Sequence, residues 1–108
     1  SGSGCSVRVF AERIPVIEDA LTFAAMGLIP AGAYKNREFR AGMIEVGDGV
    51  ARERQDMLFD PQTSGGLLIC MPEAQAEDLV AALKDAGLGD AAKVGEIVDG
   101  PAEKIRVA

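Results

Sequence analysis

Asp60-Pro61-Gln62-Thr63-Ser64-Gly65-Gly66-Leu67-Leu68-Ile69-Cys70-Met71 is the stretch on which the reading of this chain turns. Its second half, Leu67 to Met71, is an uninterrupted run of five apolar residues. Five apolar residues in a row, stopped by Pro72, predict a strand covered on both faces and therefore central in its sheet. On that reading the Cys70 thiol is buried and inert. The first half sets five polar or glycine positions, 62 to 66, directly before the strand. Two adjacent glycines let a ligand or a second backbone come close, and Thr63 and Ser64 add hydroxyls to the backbone donors. Three readings stay open for this loop: a structural turn, the wall of a cleft, or a phosphate cradle. The cradle is the least favoured, because phosphate loops run from strand to helix and present a helix N-terminus. Here a helix C-terminus precedes the loop, and Asp60 adds negative charge.

Downstream, Glu73 to Ala86 reads as a helix with Ala76, Leu79, Val80 and Leu83 on one face and Gly87 as its C-terminal stop. Val94–Val98 and Ile105–Val107 read as strands joined by a turn at Asp99-Gly100-Pro101. Upstream, Val50 to Leu58 reads as a short helix that Pro61 prevents from continuing. Met43, Ile44 and Val46 suggest a short strand closed by Gly47-Asp48-Gly49. Residues 29 to 42, punctuated by Pro30, Gly32 and Gly42, read as irregular. Ile17, Ala20, Leu21, Ala24, Ala25 and Leu28 give one face of a helix from Pro15 to Met26, ended by Gly27. Val7 and Val9 alternate with polar neighbours in a first strand reaching about Phe10. Ser1 to Gly4 reads as a linker or an expression scar, with a native Gly-rich turn as the competing reading, and residues 5–108 as one domain. The chain does not begin with Met, and we read it as a piece of a longer protein. The order of elements predicts the α+β class, a mixed β-sheet with helices packed on it.

The composition narrows the chemistry. The chain has 108 residues, 11 Lys plus Arg against 17 Asp plus Glu, a net charge of −6, two Cys and no His. Without His there is no Ser-His-Asp or Cys-His pair and no imidazole metal ligand. Two Cys cannot make a four-thiolate zinc site. The acidic balance argues against nucleic-acid and anionic-membrane partners, and the longest apolar run falls far short of the ~20 residues of a membrane span. Free thiols in a chain without a leader fit a reducing cytoplasm, although a Cys5–Cys70 bridge is compatible with the sequence. Lys35, Arg37, Arg40, Arg52 and Arg54 cluster on this acidic chain. They can grip a phosphate or simply solvate a surface among Glu38, Glu45, Asp48 and Glu53, with Asn36-Arg37 the pair of most interest. The carboxylates form no visible catalytic pair or metal motif.

At Asp60-Pro61-Gln62-Thr63-Ser64-Gly65-Gly66-Leu67-Leu68 the sequence resembles the selenophosphate synthetases, also called selenide, water dikinases. Ile14-Pro15, Met26-Gly27-Leu28-Ile29-Pro30-Ala31-Gly32 with the following Asn36-Arg37, and Gly95-Glu96-Ile97-Val98 agree in order and spacing. The resemblance runs from about residue 6 to residue 107. It implies an AIR-synthase-like C-terminal domain, partly ferredoxin-like, lacking its first elements and exposing apolar sheet surface, so that self-association into a homo-oligomer is expected. The reaction it implies converts ATP, selenide and water to selenophosphate, AMP and phosphate. ATP and Mg2+ would be used by the parent enzyme and not bound by this piece alone, and the partner would be an N-terminal ATP-binding domain of the same chain. The family's nucleophile, its lysine and its metal-binding aspartates have no counterpart here, and neither Cys5 nor Cys70 matches. What carries over is a set of candidates for a cleft wall near phosphate: Asn36, Arg37, Asp60, Gln62, Thr63, Ser64, Gly65 and Gly66. No catalytic and no metal-binding residue is expected in these 108 residues. The competing reading is a stand-alone ferredoxin-like module that binds a small ligand or a protein.

Overall fold

A computed structural model describes residues 3–108; the first two positions of the proposed Ser1–Gly4 linker lie outside the described residues. The elements are β1 (Ser6–Val9), a 3-10 turn (Ala11–Arg13), α1 (Glu18–Ala25), α2 (Ala31–Arg40), β2 (Ile44–Val46), α3 (Arg52–Met57), α4 (Glu73–Asp85), β3 (Gly95–Val98) and β4 (Ile105–Val107). The strands form one mixed sheet in the order β2-β4-β1-β3, with β4 parallel to both β1 and β2, and β3 antiparallel to β1. The α+β class expected from the element order is what the chain adopts.

Alternation along the strands gives the sheet two unlike faces. Ile44, Val46, Ile105, Val107, Val7 and Val9 share one face, and the core forms there from Ala11, Val50 and Val107, with Ile44, Val46 and Leu58 against them. On the other face the register lines up Glu45, Arg106, Arg8 and Glu96 across all four strands. Each outer carboxylate pairs with its inner arginine, Arg8 with Glu96 at 3.1 Å and Arg106 with Glu45 at 3.4 Å. These exposed pairs are worth roughly 0.2–1 kcal/mol each; they offset the repulsion of two arginines side by side. The buried Ser6 hydroxyl donates to the Pro101 carbonyl and ties β1 to the β3–β4 turn.

Gly27 and Gly87 end α1 and α4 as expected. Both take positive φ, 81° and 96°, where a Cβ would be strained. In each case the glycine amide and the next one bond back to the last turn: Gly27 N to Ala24 O and Leu28 N to Phe23 O, Gly87 N to Lys84 O and Leu88 N to Leu83 O, all 2.9 Å. That is a Schellman closure, which satisfies carbonyls the helix itself leaves free. At the other end of α4 the Lys93 ammonium hydrogen-bonds the Glu73 carboxylate at 2.8 Å. The bond holds the Glu73 carboxyl below the usual range and pushes the Lys93 amine up.

Four expectations are corrected. Leu67–Met71 is not a central strand: no backbone hydrogen bond joins it to any described residue. Leu67, Leu68 and Ile69 are 92%, 78% and 55% exposed. The central places belong to β1 and β4, the strands with a neighbour on each side. An apolar run states a demand for cover, and none of the described strands meets it. Cys70 follows its run and is exposed rather than buried; it and Cys5 are free thiols. Residues 31–40, read as irregular, are the helix α2. Its polar stretch hides any apolar stripe, and Pro30 precedes the first turn, where a proline is tolerated. α1 begins at Glu18 rather than Pro15, because Ile14 before the proline is extended and Ile17 also keeps β geometry. The predicted face of α4, Ala76, Leu79, Val80 and Leu83, is half-covered, while the helix buries no residue fully.

Candidate functional site

The candidate site is built from one helix face and one chain reversal. α2 turns Gly32, Ala33, Asn36 and Arg37 toward the end of α3, and Ala33 is buried in that contact. α3 ends at Met57; the Phe59 amide bonds to the Asp56 carbonyl (3.2 Å) and Pro61 stops further winding. Phe59 is buried, and the Arg37 guanidinium lies 5.2 Å from its ring centre, a cation–π distance. Arg37 Nη2 is 2.8 Å from Asp56 Oδ1. The same buried carboxylate receives Arg52 Nε at 3.3 Å to each oxygen. Asn36 Nδ2 donates to the Phe59 carbonyl at 2.9 Å. Gly32 faces Pro61 so closely that a Cβ there would sit 2.9 Å from Pro61 Cγ.

The sequence candidates Asn36-Arg37 and Asp60–Gly66 are therefore neighbours, although more than 20 residues separate them. Beyond Pro61 the loop folds back on itself: a Cβ on Gly65 would meet Gln62 Oε1 at 3.1 Å, whereas Gly66 faces open space. Thr63 and Ser64 are exposed, and among the described residues their hydroxyls make no hydrogen bond. Asp60 and Gln62 line a cleft of about 400 Å³ with Ile14, Ile17, Met57 and Arg54. Arg54 is anchored in its wall, with Nε 3.1 Å from Glu12 Oε1 and Nη1 donating to the Ala11 carbonyl at 3.2 Å. The cleft thus has an apolar floor with one cation, one carboxylate and one amide, a mixture suited to orienting a small polar ligand.

The basic cluster divides: Lys35, Arg40 and Arg52 are exposed, whereas Arg37 and Arg54 are partly covered. Arg37, Arg52 and Arg54 are in ion pairs, and Arg40 lies 4.7 Å from the Phe39 ring centre. Among the described residues no three His, Cys, Asp or Glu side chains converge as a metal site would require. Sequence reasoning missed Asp56, Phe59 and Gly32. The i, i+4 spacing of Arg52 and Asp56 was the available signal for the first; nothing local foretells Arg37 as its second partner.

Comparison with known proteins agrees with the α+β fold. The profile of the family described as AIR synthase related protein, C-terminal domain, matches residues 1–108. A selenide, water dikinase of Pelobacter propionicus is 54% identical over 105 residues, 97% of this chain and 30% of that protein. Those of Clostridium botulinum and Clostridioides difficile are 44% and 43% identical, over 79% and 89% of this chain and 25% and 28% of theirs. The chain spans less than a third of the length of these curated relatives. It belongs to the AIR synthase related protein C-terminal domain family, and its relatives there carry the name selenide, water dikinase.

Proposed function

We propose that this chain is the C-terminal domain of a selenide, water dikinase, cytoplasmic in setting, and that it completes a cleft over an ATP-binding domain elsewhere in the longer protein. The observation that carries the reading is the identity of up to 54% to proteins of that name, each matched over less than a third of its length. Asn36, Arg37, Asp60, Gln62, Thr63, Ser64, Gly65 and Gly66 form or support the wall of that cleft. The reaction would take ATP, selenide and water to selenophosphate, AMP and phosphate. The carboxylates here do not fit a Mg2+ site: Asp60 is the one carboxylate lining the cleft, and among the described residues no cluster surrounds it. Metal and nucleotide phosphates would accordingly be held by the partner domain, and no step is routed through this chain's own carboxylates. Incubated with ATP, Mg2+ and selenide, the 108-residue chain is expected to form no AMP while the longer protein does. Sustained AMP formation by the chain alone removes the reading of a non-catalytic domain.

The homo-oligomer belongs to the same proposal. Leu67, Leu68 and Ile69 offer an apolar segment without backbone partners among the described residues, a template for pairing. Light scattering at rising concentration is expected to show a mass above the 11.3 kDa of one chain. A monomer throughout removes the proposal.

A further inference from the structure

We infer that α2 sets the pose of the Asp60–Gly66 loop, with Asn36 as its positioning residue and Gly32 as the surface against which the loop stops. The functional half of this inference, that the pose governs turnover, rests on the proposed function. The Phe59 carbonyl lies just past the C-cap of α3, and among the described residues no backbone amide bonds to it. The Asn36 amide supplies the missing donor at 2.9 Å, one residue before the loop begins. Two residues beyond that carbonyl, Pro61 rests on Gly32, where even a methyl group would arrive at 2.9 Å from Cγ. The loop therefore leaves α3 at a point fixed by a hydrogen bond on one side and a steric stop on the other. Both fixtures come from one face of one helix, four residues apart.

This changes the role of Asn36. One of its amide N–H groups goes to the chain itself, and through that bond it acts on the cleft at Asp60 and Gln62. A pose error of about 1 Å at a reacting group can cost on the order of a hundredfold in rate, which makes such a clamp consequential.

Two substitutions probe the clamp by unrelated chemistry: Asn36→Ala removes the donor, and Gly32→Ala pushes the proline. In the 108-residue chain, both are expected to move the amide resonances of Gln62 to Gly66 while those of Val9 and Val107 stay in place. Arg40→Ala, on the same helix but in contact with Phe39 and Met43, should leave the loop unmoved. Loop resonances unchanged in both variants overturn the clamp. In the longer protein, both variants are expected to lower kcat for selenide-dependent AMP formation about tenfold or more, with KM for ATP within about twofold because the nucleotide is held elsewhere. Moved resonances with kcat within about twofold of wild type overturn the functional half. A wild-type protein that makes no AMP overturns the proposed function instead, and the resonances still decide the clamp.

Discussion

Asp56→Ala is expected to lower the unfolding free energy by about 3 kcal/mol, measured by urea denaturation of the 108-residue chain. Asp56 is 6% exposed and serves two arginines of unequal burial. The Arg37 side chain is 24% exposed and that of Arg52 68%. Removing the carboxylate strands Arg37 most. Its Nη2 is already buried, close to Asp56 in distance yet with no aligned hydrogen bond, so the ion pair is its compensation. Losing the partner of a buried charge costs about 3–5 kcal/mol, and the partial exposure of Arg37 sets the effect at the lower end. Arg52→Ala is the matched control. That pair is exposed on one side and spaced i, i+4, so its loss should cost no more than about 0.5 kcal/mol. Equal losses in the two variants would refute the assignment of Asp56 as the anchor of Arg37.

Gly95→Ala is the second large effect, expected at about 2–3 kcal/mol. Gly95 opens β3 directly opposite Val9. A Cβ there would overlap the Arg8 carbonyl and lie 3.3 Å from the Val9 Cα. The obstacles are backbone, which cannot swing aside as a side chain can. The next rung, Phe10 N to Val94 O at 2.8 Å, holds the two strands together at that point. β3 is an edge strand, so strain is relieved by peeling it away. Amide exchange should then quicken in β3 and leave the β1–β4 pairing protected. Uniform quickening across the sheet would mean that the methyl is accommodated by global loosening instead.

The elements legible in the sequence were those with local causes. Period-two alternation gave β1, the turn at Asp99-Gly100-Pro101 between two short apolar segments gave β3 and β4, and the stripe Ala76, Leu79, Val80 and Leu83 gave α4 with its glycine stop. α2 escaped because its burial falls on Gly32, Ala33 and Arg37, two small residues and a charged one, which no hydropathy pattern marks. Leu67–Met71 misled in the other direction. Its composition reports the environment the segment needs, whereas pairing depends on strands that lie elsewhere in the fold or outside this chain. For the site, composition and motif singled out Asn36-Arg37 and the Asp60–Gly66 loop. What was illegible was that they meet, because the contacts joining them run between helices and involve a carbonyl, a ring and a glycine.

The sheet order has a consequence for how the domain comes into being. β4, the last strand of the chain, lies between β1 and β2 and is the shared neighbour of both. Until residues 105–107 have left the ribosome, β1 and β2 have nothing to pair with in common, and β1 waits also for β3 at residue 95. Translation therefore delivers about ninety residues before the first rung of the sheet can close. Pairings between such distant parts of a chain form slowly, because the loop must be closed before any contact rewards it. In the meantime only the helices can form, and the apolar strands stay open to other chains. The growing domain is thus at its most vulnerable during synthesis, and it leaves that state late, first as β1 meets β3 and then as β4 enters between β1 and β2.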